Sequence, residues 1–89
     1  MTIRVLLADD HALMREGLRA LLATTPDIEV VGEVGTGREA ESCVLQLDPD
    51  VVLMDIGMPD LNGIEAARLI HLERPAVRIV MLSMHATAE

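Results

Sequence analysis

Short apolar runs and amphipathic stretches alternate along this chain. Three of the runs are almost wholly apolar and one, the second, is weaker: Ile3–Ala8, Glu29–Val34, Val51–Met54 and Arg78–Leu82. Apolar runs without polar alternation are typical of parallel strands that are covered on both faces. The pattern therefore predicts a buried parallel sheet of four strands.

Three segments with helical periodicity separate these runs. Their apolar positions recur at helical spacing: Met14, Leu18, Leu21 and Leu22; Ala40, Cys43, Val44 and Leu47; Ala66, Leu69 and Ile70. Arg15 falls on the opposite, polar side of the first helix. Thr36 and Glu39 form a capping box that opens the second helix, and the third is expected to run from near Gly63 to before Pro75. The predicted order is β-α-β-α-β-α-β, a single α/β domain with right-handed crossovers.

Acidic residues follow the predicted strands at two separate places. Asp9 and Asp10 come directly after the first strand and Asp55 ends the third, while Ser83 follows the fourth. Ligands of open parallel sheets bind outside the carboxyl ends of the strands, so these side chains share the ligand-binding edge. Carboxylates that converge in one crevice repel each other, and oxygen-only ligation favours Mg²⁺. The spacing thus predicts a Mg²⁺ and phosphate site.

Asp55 has the setting of a nucleophile in such a site. A carboxylate that attacks phosphorus forms an acyl phosphate, and a cation held by Asp9 and Asp10 would neutralise the phosphoryl oxygens. Ser83 could then donate a hydrogen bond to the new phosphate. The simpler interpretation is that Asp9 and Asp10 only cap the first helix and Asp55 the loop after the third strand. Ser83 would then be an ordinary turn residue.

Composition excludes several functional classes. The 89 residues carry 15 acidic against 7 basic side chains, a net charge of −8, and contain no aromatic residue. Such a chain repels phosphate backbones and has no rings for base stacking, so it is not expected to contact nucleic acid. No apolar run approaches the length of a membrane span. The single cysteine, Cys43, fits a reducing cytoplasm and a small core residue.

Three segments together carry a family resemblance: Ala8-Asp9-Asp10-His11, Val51 to Gly63 with its Asp55-Ile56-Gly57-Met58-Pro59 core, and Val80 to Ala86. They resemble the receiver domain of bacterial two-component response regulators. The residues of these segments, together with Arg15-Glu16-Gly17-Leu18, are most similar to the NarL/FixJ (LuxR-type) subfamily. The resemblance is in register from Met1 to Glu89.

The resemblance assigns a role to each matching residue. It implies that Asp55 accepts a phosphoryl group from a sensor histidine kinase, and that Asp9 and Asp10 hold Mg²⁺ together with Asp55 and the backbone carbonyl of Gly57. Ser83 would be the switch hydroxyl. The fold implied is a flavodoxin-like, doubly wound parallel sheet with strand order 2-1-3-4-5. The domain would be a phosphorylated switch with self-catalysed chemistry rather than a metabolic enzyme.

The sequence also departs from this family. Residues 1–89 match roughly the first three-quarters of the receiver domain; the last helix, strand and helix are not matched. No lysine or aromatic residue is present, although the family places a site lysine and a switch aromatic on the fifth strand. We expect a fragment of a longer cytoplasmic regulator whose parent carries a C-terminal helix-turn-helix DNA-binding domain and can form a homodimer. If it is instead a natural truncation and residues 1–89 are the whole folded unit, the fourth strand becomes a bare apolar edge and the first helix is only partly covered. The chain should then self-associate or fold loosely, and phosphorylation should be poor without the site lysine.

Two other functions remain open at this stage. Gly35-Thr36-Gly37 begins a G-x-G-x-x-A match that predicts nucleotide binding, although this motif alone is weak. A pure interaction module, in which the acids only solubilise the chain, is the third class. The histidines His11, His71 and His85 show no zinc-ligand spacing, and His11 and His85 are interpreted as solvated loop residues near the site.

Overall fold

The computed structural model describes residues 1–58 and 62–82. The order of strands and helices in it is the predicted one: β1 Ile3–Ala8, α1 Ala12–Leu22, β2 Ile28–Val34, α2 Gly37–Leu47, β3 Val51–Asp55, α3 Gly63–Glu73 and β4 Arg78–Leu82. The third strand ends at Asp55, as predicted, so this carboxylate lies at the carboxyl end of the strand itself.

The strands form one parallel sheet in the order β2-β1-β3-β4. This is the flavodoxin-like order expected for the first four strands. In β1, Val5 pairs with Val30 and Leu6 with Gly32, so Val31 is an extra residue that forms a β-bulge in β2. Because the order reverses direction at β1, right-handed crossovers place α1 on one side of the sheet and α2 and α3 on the other.

The hydrophobic core lies between the sheet and the helices α2 and α3. It consists of Leu6, Ala8, Val34, Ala40, Val44, Val52, Met54, Met58, Ala66, Ile70 and Val77. Of the inward positions predicted for these two helices, Ala40, Val44, Ala66 and Ile70 are fully buried, whereas Leu47 and Leu69 are only partly buried. Cys43 packs against this cluster as a partly buried residue, and burial raises the pKa of its thiol.

The opposite side of the sheet is covered less completely. Val5 and Leu7 alternate with the core residues of β1 and are buried, but α1 contributes no buried residue. Leu21 is 65% exposed and Leu13 is 81% exposed. The expectation that the apolar face of α1 is only partly covered is thus met.

Side-chain hydrogen bonds fix where two of the helices begin. The Glu39 N–H donates to Thr36 Oγ1 over 3.1 Å, as the capping box predicts. The return bond is shifted by one residue, because Glu39 Oε1 accepts from the Gly35 N–H rather than from Thr36. At α3, Asn62 Oδ1 accepts from the Glu65 N–H over 2.9 Å. Asn62 is therefore an N-cap residue.

Arg4 joins three elements at the amino edge of the sheet. Its guanidinium donates to the carbonyls of Leu47, 2.7 Å away, and Asp48, 3.0 Å away, at the C-terminal end of α2. Its backbone N–H donates to Asp50 Oδ2, and its carbonyl accepts from the Asp50 N–H, each over 2.8 Å. The positive charge thus satisfies carbonyls that a helix end leaves without partners.

Candidate functional site

The carboxyl ends of β1 and β3 bring together the acids predicted to form a site. The two strands are neighbours, so Asp9 and Asp10 after β1 lie beside Asp55 at the end of β3. With His11 they form a group in which one ligand atom of each residue lies within 4.8 Å of all the others. Ser83 lies outside the residues that the structure describes, so its predicted role stays a prediction.

Two of the three carboxylates are buried. Asp9 is 2% exposed and Asp55 is 3% exposed, while Asp10 faces solvent. Asp9 Oδ2 is fully buried and has no hydrogen-bond partner among the described residues. A buried carboxylate oxygen without a partner carries a large desolvation cost, which a bound cation would offset. The donor set fits Mg²⁺, which binds through one or two carboxylates and keeps several waters.

Helix capping accounts for only part of this arrangement. The N-cap of α1 is His11, whose side chain makes no cap hydrogen bond, and Asp9 Oδ1 accepts from the His11 N–H over 2.8 Å. Asp55 Oδ1 accepts from the Gly57 N–H over 3.1 Å. These contacts use one oxygen of each buried acid. They do not explain why the second oxygen of Asp9 is buried without a partner.

His11, expected as a solvated residue near the site, is exposed and also contacts the acids directly. Its Nδ1 lies 3.0 Å from Asp9 Oδ1, 3.1 Å from Asp10 Oδ1 and 3.8 Å from Asp55 Oδ2. The ring is 61% exposed, but its nitrogen points into the carboxylates rather than into solvent. The hydrogen bond to Asp9 and the charge of Asp10 raise the pKa of His11, which favours its positive form among these acids.

The surroundings of Asp55 shift the pKa of its carboxyl upward when no cation is bound. Burial, and then the charges of Asp9 and Asp10, raise the pKa of its carboxyl. The Gly57 N–H and the His11 ring act in the opposite direction. A divalent cation at the cluster would act against this shift and favour the ionised carboxylate, which is the form that can act as a nucleophile.

Arg15, predicted on the polar side of α1, makes a contact that the sequence did not indicate. It is half-buried, and Nη1 of its guanidinium donates to the Asp9 carbonyl. Its Nε lies 3.6 Å from Glu33 Oε1 on β2. Arg15 therefore ties α1 to the backbone of the buried acid. Helical periodicity could not show this, because the contact depends on how α1 leaves the sheet.

Gly63 allows the start of α3 to approach the end of β3. A Cβ at this position would stand 2.1 Å from the Asp55 carbonyl oxygen and 2.9 Å from Ile56 Cα. The Gly63 N–H donates to the Ile56 carbonyl over 3.0 Å. The start of α3 is thus held in close backbone contact with the strand end that carries Asp55. Met58 is buried in the core nearby, whereas Pro59 lies outside the described residues.

The glycine motif at Gly35-Thr36-Gly37 lies between β2 and α2, as predicted, but its first backbone donor is already used. The Glu39 carboxylate accepts from the Gly35 N–H. A carboxylate at this helix start occupies the place where a nucleotide phosphate would bind and would repel it. The local structure therefore weighs against the nucleotide-binding alternative.

Comparison with known proteins places the chain in a family. Residues 5–89 match the family model "Response regulator receiver domain". The response regulator protein VraR of Staphylococcus aureus is 45% identical over 83 residues, which are 93% of this chain and 40% of VraR. The chain thus spans less than half the length of this curated relative. No helix among the described residues has the length and apolar character needed to cross a membrane.

Solved structures agree with the predicted subfamily. A LuxR-family two-component response regulator from Aurantimonas sp. SI85-9A1 shows 40% identity and a TM-score of 0.90, over 96% of this chain and 61% of that one. The response regulator RcsB, solved as a complex with DNA, shows 28% identity and a TM-score of 0.90, over 98% of this chain and 46% of that one. The sheet order, the acidic cluster at its carboxyl edge and these matches lead to one conclusion: the chain belongs to the response regulator receiver domain family.

Proposed function

We propose that Asp55 is the phosphoacceptor of this receiver domain and that it takes a phosphoryl group from a sensor histidine kinase in a Mg²⁺-dependent reaction. The observation that carries the proposal is the convergence of Asp9 and Asp10 on Asp55, with one buried Asp9 oxygen left without a partner. This arrangement costs folding free energy unless a cation binds there.

In the transfer step, a carboxylate oxygen of Asp55 attacks phosphorus and forms an acyl phosphate. The phosphorus–nitrogen bond to the kinase histidine breaks, and the imidazole leaves with that electron pair. Burial of Asp55 limits access of water to the carboxylate, and the Gly57 N–H orients it through Oδ1. The residues therefore position the nucleophile, and positioning is most of what phosphoryl transfer requires of a protein.

Asp9, Asp10 and Asp55, with the Gly57 carbonyl, are proposed to hold the Mg²⁺ ion. When bound, the ion supplies positive charge that offsets the charge of the phosphoryl oxygens. Arg15 holds the backbone at Asp9 and so keeps the first of these ligands in place. Ser83 is proposed as the hydroxyl that donates to the acyl phosphate after transfer.

The domain is proposed to act as a cytoplasmic switch with self-catalysed phosphorylation and dephosphorylation. Its relative RcsB is known in complex with DNA, and we infer a DNA-binding output, a helix-turn-helix domain, in the parent protein of this chain. With a net charge of −8, the receiver part itself is not expected to touch DNA. A homodimer is the assembly expected from the family resemblance.

Phosphorylation of the intact protein tests the assignment of Asp55. With acetyl phosphate and Mg²⁺, the protein should gain one hydroxylamine-labile phosphoryl group, and Asp55→Asn should abolish it. Asp27→Asn, an exposed acid before β2 at the opposite edge of the sheet, is the matched control and should be labelled normally. Undiminished labelling of Asp55→Asn would refute the assignment.

Metal binding separates this function from a pure interaction module. Asp10→Ala should weaken Mg²⁺ binding measured by calorimetry, while Asp27→Ala should not. Beryllofluoride should bind only when Mg²⁺ is present. Mg²⁺ should also raise the melting temperature, because it binds the folded state alone. If beryllofluoride and Mg²⁺ both fail to bind, the acids only solubilise the chain.

A further inference from the structure

The acidic cluster contains one donor that is not an oxygen. His11 Nδ1 belongs to the group of ligand atoms that lie within 4.8 Å of one another. His11 stands at the N-cap of α1, where side chains usually accept a hydrogen bond from the helix. Its side chain makes no such bond and turns instead toward the three carboxylates. The imidazole nitrogen therefore faces the same centre as the acids.

The spacing of these atoms matches the edges of a coordination octahedron. Neighbouring ligands at about 2.0–2.2 Å from a metal are separated by about 2.9–3.1 Å. Nδ1 lies 3.0 Å from Asp9 Oδ1 and 3.1 Å from Asp10 Oδ1. The nitrogen and the two oxygens can thus be adjacent ligands of one ion without a large movement of His11.

A second observation points to a cation at the same place. Asp9 Oδ2 is buried, and no group among the described residues donates to it. The opposite oxygen, Oδ1, accepts from the His11 backbone N–H over 2.8 Å and lies 3.0 Å from Nδ1 of the His11 ring. His11 therefore contacts the same carboxylate that lacks a partner. A cation that binds Nδ1 would displace the proton between Nδ1 and Asp9 to solvent, and it would also supply a partner for the buried oxygen.

We propose that His11 is a ligand of the cation held by Asp9, Asp10 and Asp55, and that its nitrogen makes this site prefer first-row transition dications such as Ni²⁺ and Co²⁺ over Mg²⁺. The inference rests on the metal site of the proposed function. Imidazole is a good ligand for these ions, whereas Mg²⁺ takes oxygen ligands almost exclusively. His11 thus increases the difference in affinity between these ions and Mg²⁺ beyond what carboxylates alone would produce.

Calorimetric titration of the intact protein at one fixed pH tests this selectivity. His11→Ala should lower the affinity for Ni²⁺ and Co²⁺ by about tenfold or more, the scale of effect seen when metal-site residues are removed. Mg²⁺ affinity should stay the same or rise slightly. His11→Asn, which keeps a hydrogen-bond donor near Asp9 but has no imidazole, should behave like His11→Ala. The visible absorption of bound Co²⁺ should change in both variants.

His71→Ala is the matched control, because His71 is an exposed histidine on α3. It should leave Ni²⁺, Co²⁺ and Mg²⁺ binding unchanged. Equal Ni²⁺ affinity in wild type and His11→Ala, or an equal loss of Ni²⁺ and Mg²⁺ affinity, would overturn the role of His11. Failure of the metal site itself gives a different result: neither Mg²⁺ nor Ni²⁺ affinity would then depend on Asp10.

Discussion

The helices on the two sides of the sheet pack against it in different ways. On the α2–α3 side, four helical residues are fully buried against the strands: Ala40, Val44, Ala66 and Ile70. On the other side α1 buries none, and its Arg15 and Arg19 lie 3.6 Å and 3.2 Å from the Glu33 carboxylate of β2. Partly exposed ion pairs contribute little to the free energy of unfolding. The α2–α3 side thus holds more of the buried core, while α1 covers Val5 and Leu7 with half-buried residues and positions polar groups beside the site.

Shortening a core side chain should show the largest difference between the two sides. Ile70→Ala on α3 should lower the free energy of unfolding by about 2–5 kcal/mol, because it leaves a cavity in a packed core. Leu21→Ala on α1, where the side chain is 65% exposed, should cost less than about 1 kcal/mol. Urea denaturation of both variants measures this difference.

An equal loss of unfolding free energy in Ile70→Ala and Leu21→Ala would contradict this difference between the two sides of the sheet. It would mean that Leu21 is covered in solution, by a second copy or by another part of the protein. Light scattering on the same samples then identifies self-association, which we expect if the 89-residue chain is studied alone.

Two glycine substitutions should act in opposite directions. Gly63→Ala places a Cβ 2.1 Å from the Asp55 carbonyl oxygen and should destabilise by about 1–3 kcal/mol, as overpacking does. Gly17→Ala in α1 meets nothing within 4 Å and should stabilise by about 0.5–1 kcal/mol through helix propensity. Thermal melting followed by circular dichroism checks both signs.

A loss of stability in Gly17→Ala would show that α1 packs more closely than its exposure indicates. Gly63→Ala should also reduce labelling of Asp55, since α3 must move away from the strand end. Normal labelling combined with normal stability would contradict the close contact between α3 and β3.

The smallest effect concerns an acid pair that crosses from α2 to α3. The Glu41 carboxyl reaches Glu73, and this hydrogen bond, followed by burial and the charge of Glu73, raises the pKa of Glu41. Between the usual glutamate pKa and this raised value the folded state holds more protons than the unfolded state. Stability should therefore fall as the pH rises through that window.

Glu41→Gln should remove this part of the pH dependence. At neutral pH it should stabilise by no more than about 0.5 kcal/mol, because a half-exposed pair is screened by solvent, and the gain should vanish under acidic conditions. Glu16→Gln, an exposed acid of α1, is the control for the change in net charge. Identical pH profiles for both variants and wild type would show that Glu41 and Glu73 do not interact in solution.

Hydrophobic periodicity and the positions of the strand ends were enough to predict the fold and the three acids of the site. A parallel topology forces Asp9 and Asp55 to one edge whatever the details of the loops. The roles of His11 and Arg15 could not be predicted, because each depends on a side-chain direction. His11 turns back over the carboxylates from a helix start, and Arg15 reaches the Asp9 carbonyl across the gap between α1 and β1. Sequence spacing alone does not encode such directions.

The hydrogen bonds of Arg4 have a consequence for the kinetics of folding. They join Arg4 to residues 43, 44 and 46 positions further along the chain. Contacts this distant in sequence form only after a long loop has closed, so we expect them to be made late, after α2 and its strand have docked. Interactions absent from the transition state act mainly on the unfolding rate. Arg4, at the edge opposite the acids, would thus lengthen the lifetime of the folded domain without speeding its formation.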